Sequence, residues 1–147
     1  MPKDQPRPAD ATGLSAVPVE QFCGGIWKLG RGPPREVRAP SNGRLLATIH
    51  AASEADLDEA VEAAAVAQKV WGAMGPLARG QAIKAAAARI RANANELAMI
   101  DAIDCGNPLR GMKFDISLGA TLMEYFGGLT AEVKGETIPQ PGNKLTF

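Results

Sequence analysis

Two thiols, one imidazole and a short run of carboxylates are the groups in this 147-residue chain that could do chemistry. Cys23 and Cys105 are the candidate nucleophiles. A reactive thiol needs a cation or a helix N-terminus nearby to lower its pKa, and neither cysteine has an evident one. The two thiols lie far apart, fit no metal-ligand spacing and define no disulfide framework. His50 is the single histidine, whereas zinc sites and Ser-His-Asp triads need imidazole together with further ligands or partners. It reads as a surface or turn histidine at a strand end. Glu54, Asp56, Asp58, Glu59 and Glu62 form the acidic run. No turn glycines lie among them to shape a metal loop, and a helix dipole favours carboxylates at its N-terminus. Gly30 and Gly32 begin a glycine pattern, but Pro33 and Pro34 follow at once. A dinucleotide cradle needs a third glycine and a helix opening at that point, and both are missing.

The elements that must position these groups can be read from turn signals and periodicity. Val19 to Trp27 reads as a hairpin around Gly24-Gly25, a pair that supplies the positive φ of a tight turn. A strand is expected over Glu36 to Ala39, then a Pro40-Ser41-Asn42-Gly43 turn, then a strand over Leu45 to His50. From Ser53 the period changes from two to about 3.6. Ser53 is a good N-cap with Asp56 in the capping-box position. Leu57, Ala60, Val61, Ala64 and Trp71 form one face of that helix, which ends between Gly72 and Pro76. A second helix is expected from Leu77 to Ala92, with Ile83, Ala86, Ala87 and Ile90 inward. A third carries Leu97, Ile100 and Ile103 and ends at Gly106. A fourth runs from Leu109 to Val133. Gly119 and Gly127-Gly128 within it imply a close neighbouring backbone, because glycine costs about 1 kcal/mol relative to alanine inside a helix. Glu136 to Pro139 and Lys144 to Phe147 read as short strands flanking a Pro141-Gly142 turn.

Composition narrows the functional classes. Lys plus Arg is 16 and Asp plus Glu is 16, and a nucleic-acid binder needs a basic surplus. Residues 1–52 carry 7 basic and 4 acidic side chains, and residues 53–108 carry 5 and 8, so the charge is segregated although it sums to zero. Leu, Ile, Val and Phe make up only about a fifth of the chain, near the lower limit for a self-sufficient core. Residues 1–18 read as a disordered arm and residues 19–147 as an incomplete domain. The arm resembles neither a signal nor a transit peptide, and no stretch reaches the length of a membrane span. The expectation is a cytoplasmic protein with no membrane partner. Ending at Phe147 inside a β segment reads as a truncation, since complete domains manage their strand edges.

Several motifs follow one another in a recognisable order. They are Gly24-Gly25-x-Trp27, Pro40-x-Asn42-Gly43-x-Leu45-x-Ala47-Thr48 and Ala52-Ser53-x-x-Asp56-x-x-x-Ala60-Val61. Ala94-x-Glu96-Leu97-Ala98 and Asp104-x-Gly106-x-Pro108-Leu109 come next. Tyr125-Phe126-Gly127-Gly128-Leu129 and Gly135-Glu136-Thr137-Ile138-Pro139 complete the series. Over residues 22–147 the chain resembles the N-terminal part of the aldehyde dehydrogenase superfamily. The resemblance implies an α/β fold in which short β-hairpins precede four helices, and in which the terminal strands belong to a missing sheet. It also implies oxidation of an aldehyde to a carboxylic acid with NAD or NADP. In that chemistry a cysteine thiolate attacks the carbonyl, hydride passes to nicotinamide, and a glutamate-activated water releases the acid. The family's cysteine, glutamate and cofactor glycines have no matching positions here, so no catalytic or cofactor-binding residue is expected and the chain itself is expected to be inactive.

Two inherited roles are implied. Asp104, with the carbonyls of Val37 and Arg38, corresponds to a structural monovalent cation site, for which oxygen ligands are suited; the alternative is a carboxylate that caps the turn. Met112, Asp115, Ile116 and Gly119 correspond to positions lining an aldehyde entrance tunnel, and the alternative there is an ordinary helix face. Neither the aldehyde nor the choice between NAD and NADP is encoded in these residues. Expected partners are the missing domains or further copies of the chain. The competing readings are a stand-alone module that binds a full-length relative and a nonfunctional remnant.

Overall fold

The computed structural model describes residues 19–142 and 144–146. The expected arm and Phe147 lie outside them. β1 (Gln21–Cys23) and β2 (Ile26–Lys28) pair antiparallel with Phe22 opposite Trp27. Gly24 and Gly25 turn the hairpin at φ 60° and 86°, as a two-residue primed turn requires. β3 (Pro34–Arg38) pairs antiparallel with β4 (Leu45–His50), with a register shift between Val37 and Arg38. β3 starts two residues earlier than expected and ends one earlier. Proline is tolerated at the first residue of an edge strand, where its missing N–H is not needed. β5 (Ile138–Pro139) and β6 (Leu145–Thr146) form a third pair. The described strands make three separate two-stranded sheets, so the helices carry most of the packing.

α1 (Glu54–Ala73), α2 (Pro76–Ala92), α3 (Ala94–Cys105) and α4 (Leu109–Gly128) follow. α3 stops where Gly106 takes a left-handed φ of 75°. α4 ends five residues short of the expected Val133, and a single 3-10 turn, Leu129–Ala131, succeeds it. The core is the α2–α3–α4 layer. Ala87, Ala98 and Ala120 are fully buried in it beside Met112, and such small side chains let helix axes approach closely. Of the expected inner face of α2, Ala87 is buried, Ile83 and Ile90 are half-buried and Ala86 is exposed.

The tightest approach between helices is that of Gly80 of α2 to Gly127 of α4, both buried. A Cβ on Gly80 would strike the Gly127 carbonyl oxygen and lie 2.6 Å from Thr130 Oγ1. The close backbone expected around the α4 glycines is therefore real at Gly127. It is absent at Gly119, where a Cβ would meet nothing within 4 Å.

α1 presents its apolar face uncovered. Asp56 is its only buried residue, and Leu57 and Val61, which periodicity places on that one face, are 61% and 62% exposed. Periodicity identifies an apolar face, but no described element covers this one. α4 shows the same condition on its outer side. Phe114, Leu118, Leu122 and Phe126, spaced four apart, are all exposed, while Met112, Ala120 and Gly127 face inward. A helix apolar on both sides is normally sandwiched between layers, and large exposed apolar patches promote association. The 15.4 kDa chain is therefore expected to elute as oligomers and to bind a dye that reports apolar surface. Light scattering coupled to size exclusion should show Leu122→Glu with Phe126→Glu shifting it toward monomer. A dye-silent wild-type monomer would refute the expectation.

Candidate functional site

Two clusters tie the strands to the helices. The first is centred on Asp56, only 2% exposed. The capping box forms as expected: Asp56 N–H donates to Ser53 Oγ (3.2 Å), and Ser53 N–H donates to Asp56 Oδ2 (2.9 Å). The same carboxylate also accepts from Arg31 N–H at 2.9 Å and from Arg31 Nε at 2.7 Å. Arg31 and Lys28 both reach Glu59 one turn further on. The Ser53 N–H, then the Arg31 N–H and guanidinium, hold the Asp56 carboxyl well below the usual carboxylate range. The expected dipole-favoured carboxylate is therefore also a clip joining the loop after β2 to α1, and Arg31, 25 residues away in sequence, was not legible as its partner.

The sign of the pH dependence follows. As pH falls below about 5, the unfolded chain takes up a proton at Asp56 that the folded chain refuses, so stability declines toward and beyond pH 2. Asp56→Asn should lower stability at neutral pH and flatten the acid limb of a stability–pH curve. An acid limb unchanged in slope would remove Asp56 from this role.

The second cluster lies between the β3–β4 hairpin and α3. A cavity of about 210 Å³ is lined by Val37, Leu46, Ala47 and Ile49 on one side and by Ile100, Ile103 and Asp104 on the other. Asp104 and Val37, paired by the sequence reading, thus share one cavity wall. The Arg38 side chain turns elsewhere, donating to Glu36 Oε2 and to the Gly43 carbonyl. Among the described residues no hydrogen bond is made to the Asp104 carboxylate, and the turn beyond it is closed instead by Gly106 N–H donating to the Ala102 carbonyl at 3.0 Å.

Met112 is buried, and Asn107 Nδ2 lies 3.8 Å from its sulfur. Ile116 is half-buried, and Asp115 and Gly119 are exposed on α4. These four share α4, and none of them lines the cavity beside Asp104. Cys105 is exposed, and its thiol donates to Asp101 Oδ1 at 3.4 Å. That carboxylate first, then desolvation, pushes the thiol pKa up, the opposite of what a nucleophile needs. Cys23 is half-buried in the first hairpin. His50 Nδ1 lies 3.2 Å from the Gly32 carbonyl, which fits the turn role. Gly30 and Gly32 are accounted for by packing: a Cβ on either would collide with the Ala51 carbonyl oxygen. Together with the β-strand that follows them, this gives a backbone crossing with no phosphate cradle. The described residues here do not fit a dinucleotide.

The architecture is α/β, with hairpins laid on a helical layer that leaves apolar faces open. Its relatives are clear. A profile of the aldehyde dehydrogenase family matches residues 27–147, and the chain belongs to that family. PnpE in complex with nicotinamide adenine dinucleotide is 31% identical, with a TM-score of 0.82 over 88% of this chain and 27% of that one. An aldehyde dehydrogenase from Brucella melitensis biovar abortus 2308 is 28% identical, with a TM-score of 0.81 over 91% of this chain and 27% of that one. A mutant aldehyde dehydrogenase from Bacillus cereus is 30% identical, with a TM-score of 0.81 over 88% and 27%. The chain spans about a quarter of the length of these relatives, and its fold is a part of theirs. No described helix is long and apolar enough to cross a membrane.

Proposed function

We propose that the chain serves as the N-terminal portion of an NAD- or NADP-dependent subunit that oxidises an aldehyde to a carboxylic acid. The observation that carries this reading is a match over 88% of this chain to only 27% of PnpE, a protein solved with nicotinamide adenine dinucleotide. Open apolar faces on α1 and α4 support it, because such faces require a covering layer. In this reading Cys23 and Cys105 take no part in catalysis, and the thiolate, the water-activating carboxylate and the cofactor cradle come from other sequence. The α2–α4 layer would be scaffold, and Met112, Asp115, Ile116 and Gly119 would face the aldehyde's entry path. The partner is the remainder of a subunit, and assembly into oligomers would follow. A chimera in which residues 19–147 replace the matching portion of the Bacillus cereus relative tests this. Aldehyde-dependent NADH formation by the chimera is the expected result. A folded chimera without activity would overturn it.

Asp104 and the main-chain carbonyls of Val37 and Arg38 are proposed to hold a monovalent cation that joins hairpin to helix. The carboxylate's open acceptor sites and the cavity wall shared with Val37 support the assignment. Potassium or sodium at ten times its Kd should raise the Tm by about 3–5 °C over choline, and Asp104→Ala should abolish the difference. An equal response in choline would eliminate the cation.

A further inference from the structure

The side chains lining the cavity between the β3–β4 hairpin and α3 are apolar except that of Asp104. Val37, Leu46, Ile49, Ile100 and Ile103 are half-buried, whereas Asp104 is exposed. The carboxylate therefore stands at the mouth and the hydrocarbon walls form the interior. A cavity of about 210 Å³ is somewhat larger than the roughly 150 Å³ apolar cavities that accept a benzene-sized guest. Water gains little there, because an ordered water needs two or more polar partners and the lining side chains of the interior provide none.

The geometry points to a binding site for a small primary alkylammonium ion of about four carbons. Its ammonium would donate to Asp104 at the mouth, and its alkyl chain would lie against Ile100, Ile103 and Val37. The chemistry excludes close alternatives. A quaternary ammonium prefers aromatic faces, and no aromatic side chain lines this cavity. A carboxylate ligand would meet Asp104 as a like charge. An α,ω-diamine of the same length would have to bury its second ammonium among isoleucines, which is unfavourable without a partner. The site shares Asp104 with the alkali-cation assignment but does not depend on it or on the dehydrogenase reading. An alkali ion needs only the mouth, whereas this ligand needs the interior as well.

Calorimetric titration of the purified chain with n-butylammonium chloride tests the assignment. Saturable binding with a Kd in the millimolar range is expected from an alkyl chain of this size. 1-Butanol should bind about fivefold more weakly, because it lacks the charge-assisted bond to an exposed carboxylate, and 1,4-diaminobutane should not saturate. Asp104→Asn should reduce butylammonium to the affinity of butanol. Ala47→Leu, which fills the cavity from the hairpin side, should abolish binding of both. Equal affinity for butanol and butylammonium, equal affinity for the diamine, or indifference to either substitution would overturn the proposal. Thermal stabilisation by potassium with no butylammonium binding would also overturn it, while leaving the alkali-cation assignment standing.

Discussion

Incubated with NAD or NADP and any aldehyde, the 147-residue chain is expected to form no reduced cofactor. The reason is local chemistry. Cys105 shares its proton with Asp101 and has a raised pKa, so its thiolate fraction at neutral pH is suppressed. Cys23 is half-buried in the first hairpin. Gly30 and Gly32 are committed to the Ala51 crossing. An acceleration on the order of 10⁶-fold or more thus has no groups here to produce it. Absorbance at 340 nm, followed with a panel of aliphatic and aromatic aldehydes, is the measurement. A saturable, aldehyde-dependent rise that survives repurification would place a nucleophile in this chain and sink the scaffold reading.

Gly80→Ala is expected to have the largest effect on stability of any glycine-to-alanine change within a helix. Alanine alone would favour the helix by about 1 kcal/mol, but its Cβ would collide with the Gly127 carbonyl and crowd Thr130 Oγ1. The first is backbone of the packed α2–α4 crossing and cannot swing aside, and the second is a short side chain of the 3-10 turn that follows α4. Separating the helices should cost about 2–3 kcal/mol net, a fall in Tm on the order of 8 °C for a chain of this size. Gly119→Ala gives the opposite sign. With nothing within 4 Å of the added methyl, it should stabilise by about 1 kcal/mol. Thermal melts followed by circular dichroism at 222 nm read both variants. A Gly80→Ala melt at or above the parent would show that the crossing is not as tight as the structure has it.

These two glycines mark where the sequence stops being informative. Helix interiors disfavour glycine, so Gly119 and Gly127 both signalled a close neighbour. Only Gly127 has one, because a helix crossing is fixed by a partner 47 positions away rather than by the local residues. Signals that close within a few residues were legible. Ser53 with Asp56, the Gly24-Gly25 turn, the Gly43 turn and the Gly106 stop all stand as read. Arg31 on Asp56 was not legible, since either of two neighbouring cations could have reached that carboxylate. The apolar face of α1 was legible as a face, and what covers it was not. Hydrophobic spacing specifies what a helix offers, not what accepts it. Within the cavity, Asp104 and Val37 entered through family resemblance, whereas Leu46, Ile49, Ile100 and Ile103 became its walls only once hairpin and helix were juxtaposed.

The clip at Asp56 has a mechanical consequence. α1 has 20 residues, about 30 Å of helix at 1.5 Å per residue, yet its one buried side chain lies in its first turn. Beyond that point it leans on its own main-chain ladder more than on neighbours. It can therefore fray and re-form as a separate cooperative unit without disturbing the Gly80–Gly127 crossing. The unfolding of this chain is therefore expected to show two thresholds. One is set by four hydrogen bonds from Ser53 and Arg31 to a single carboxylate, and the other by the close contact of two helices. Anything that reaches α1, a protease or a covering partner, meets the weaker threshold first.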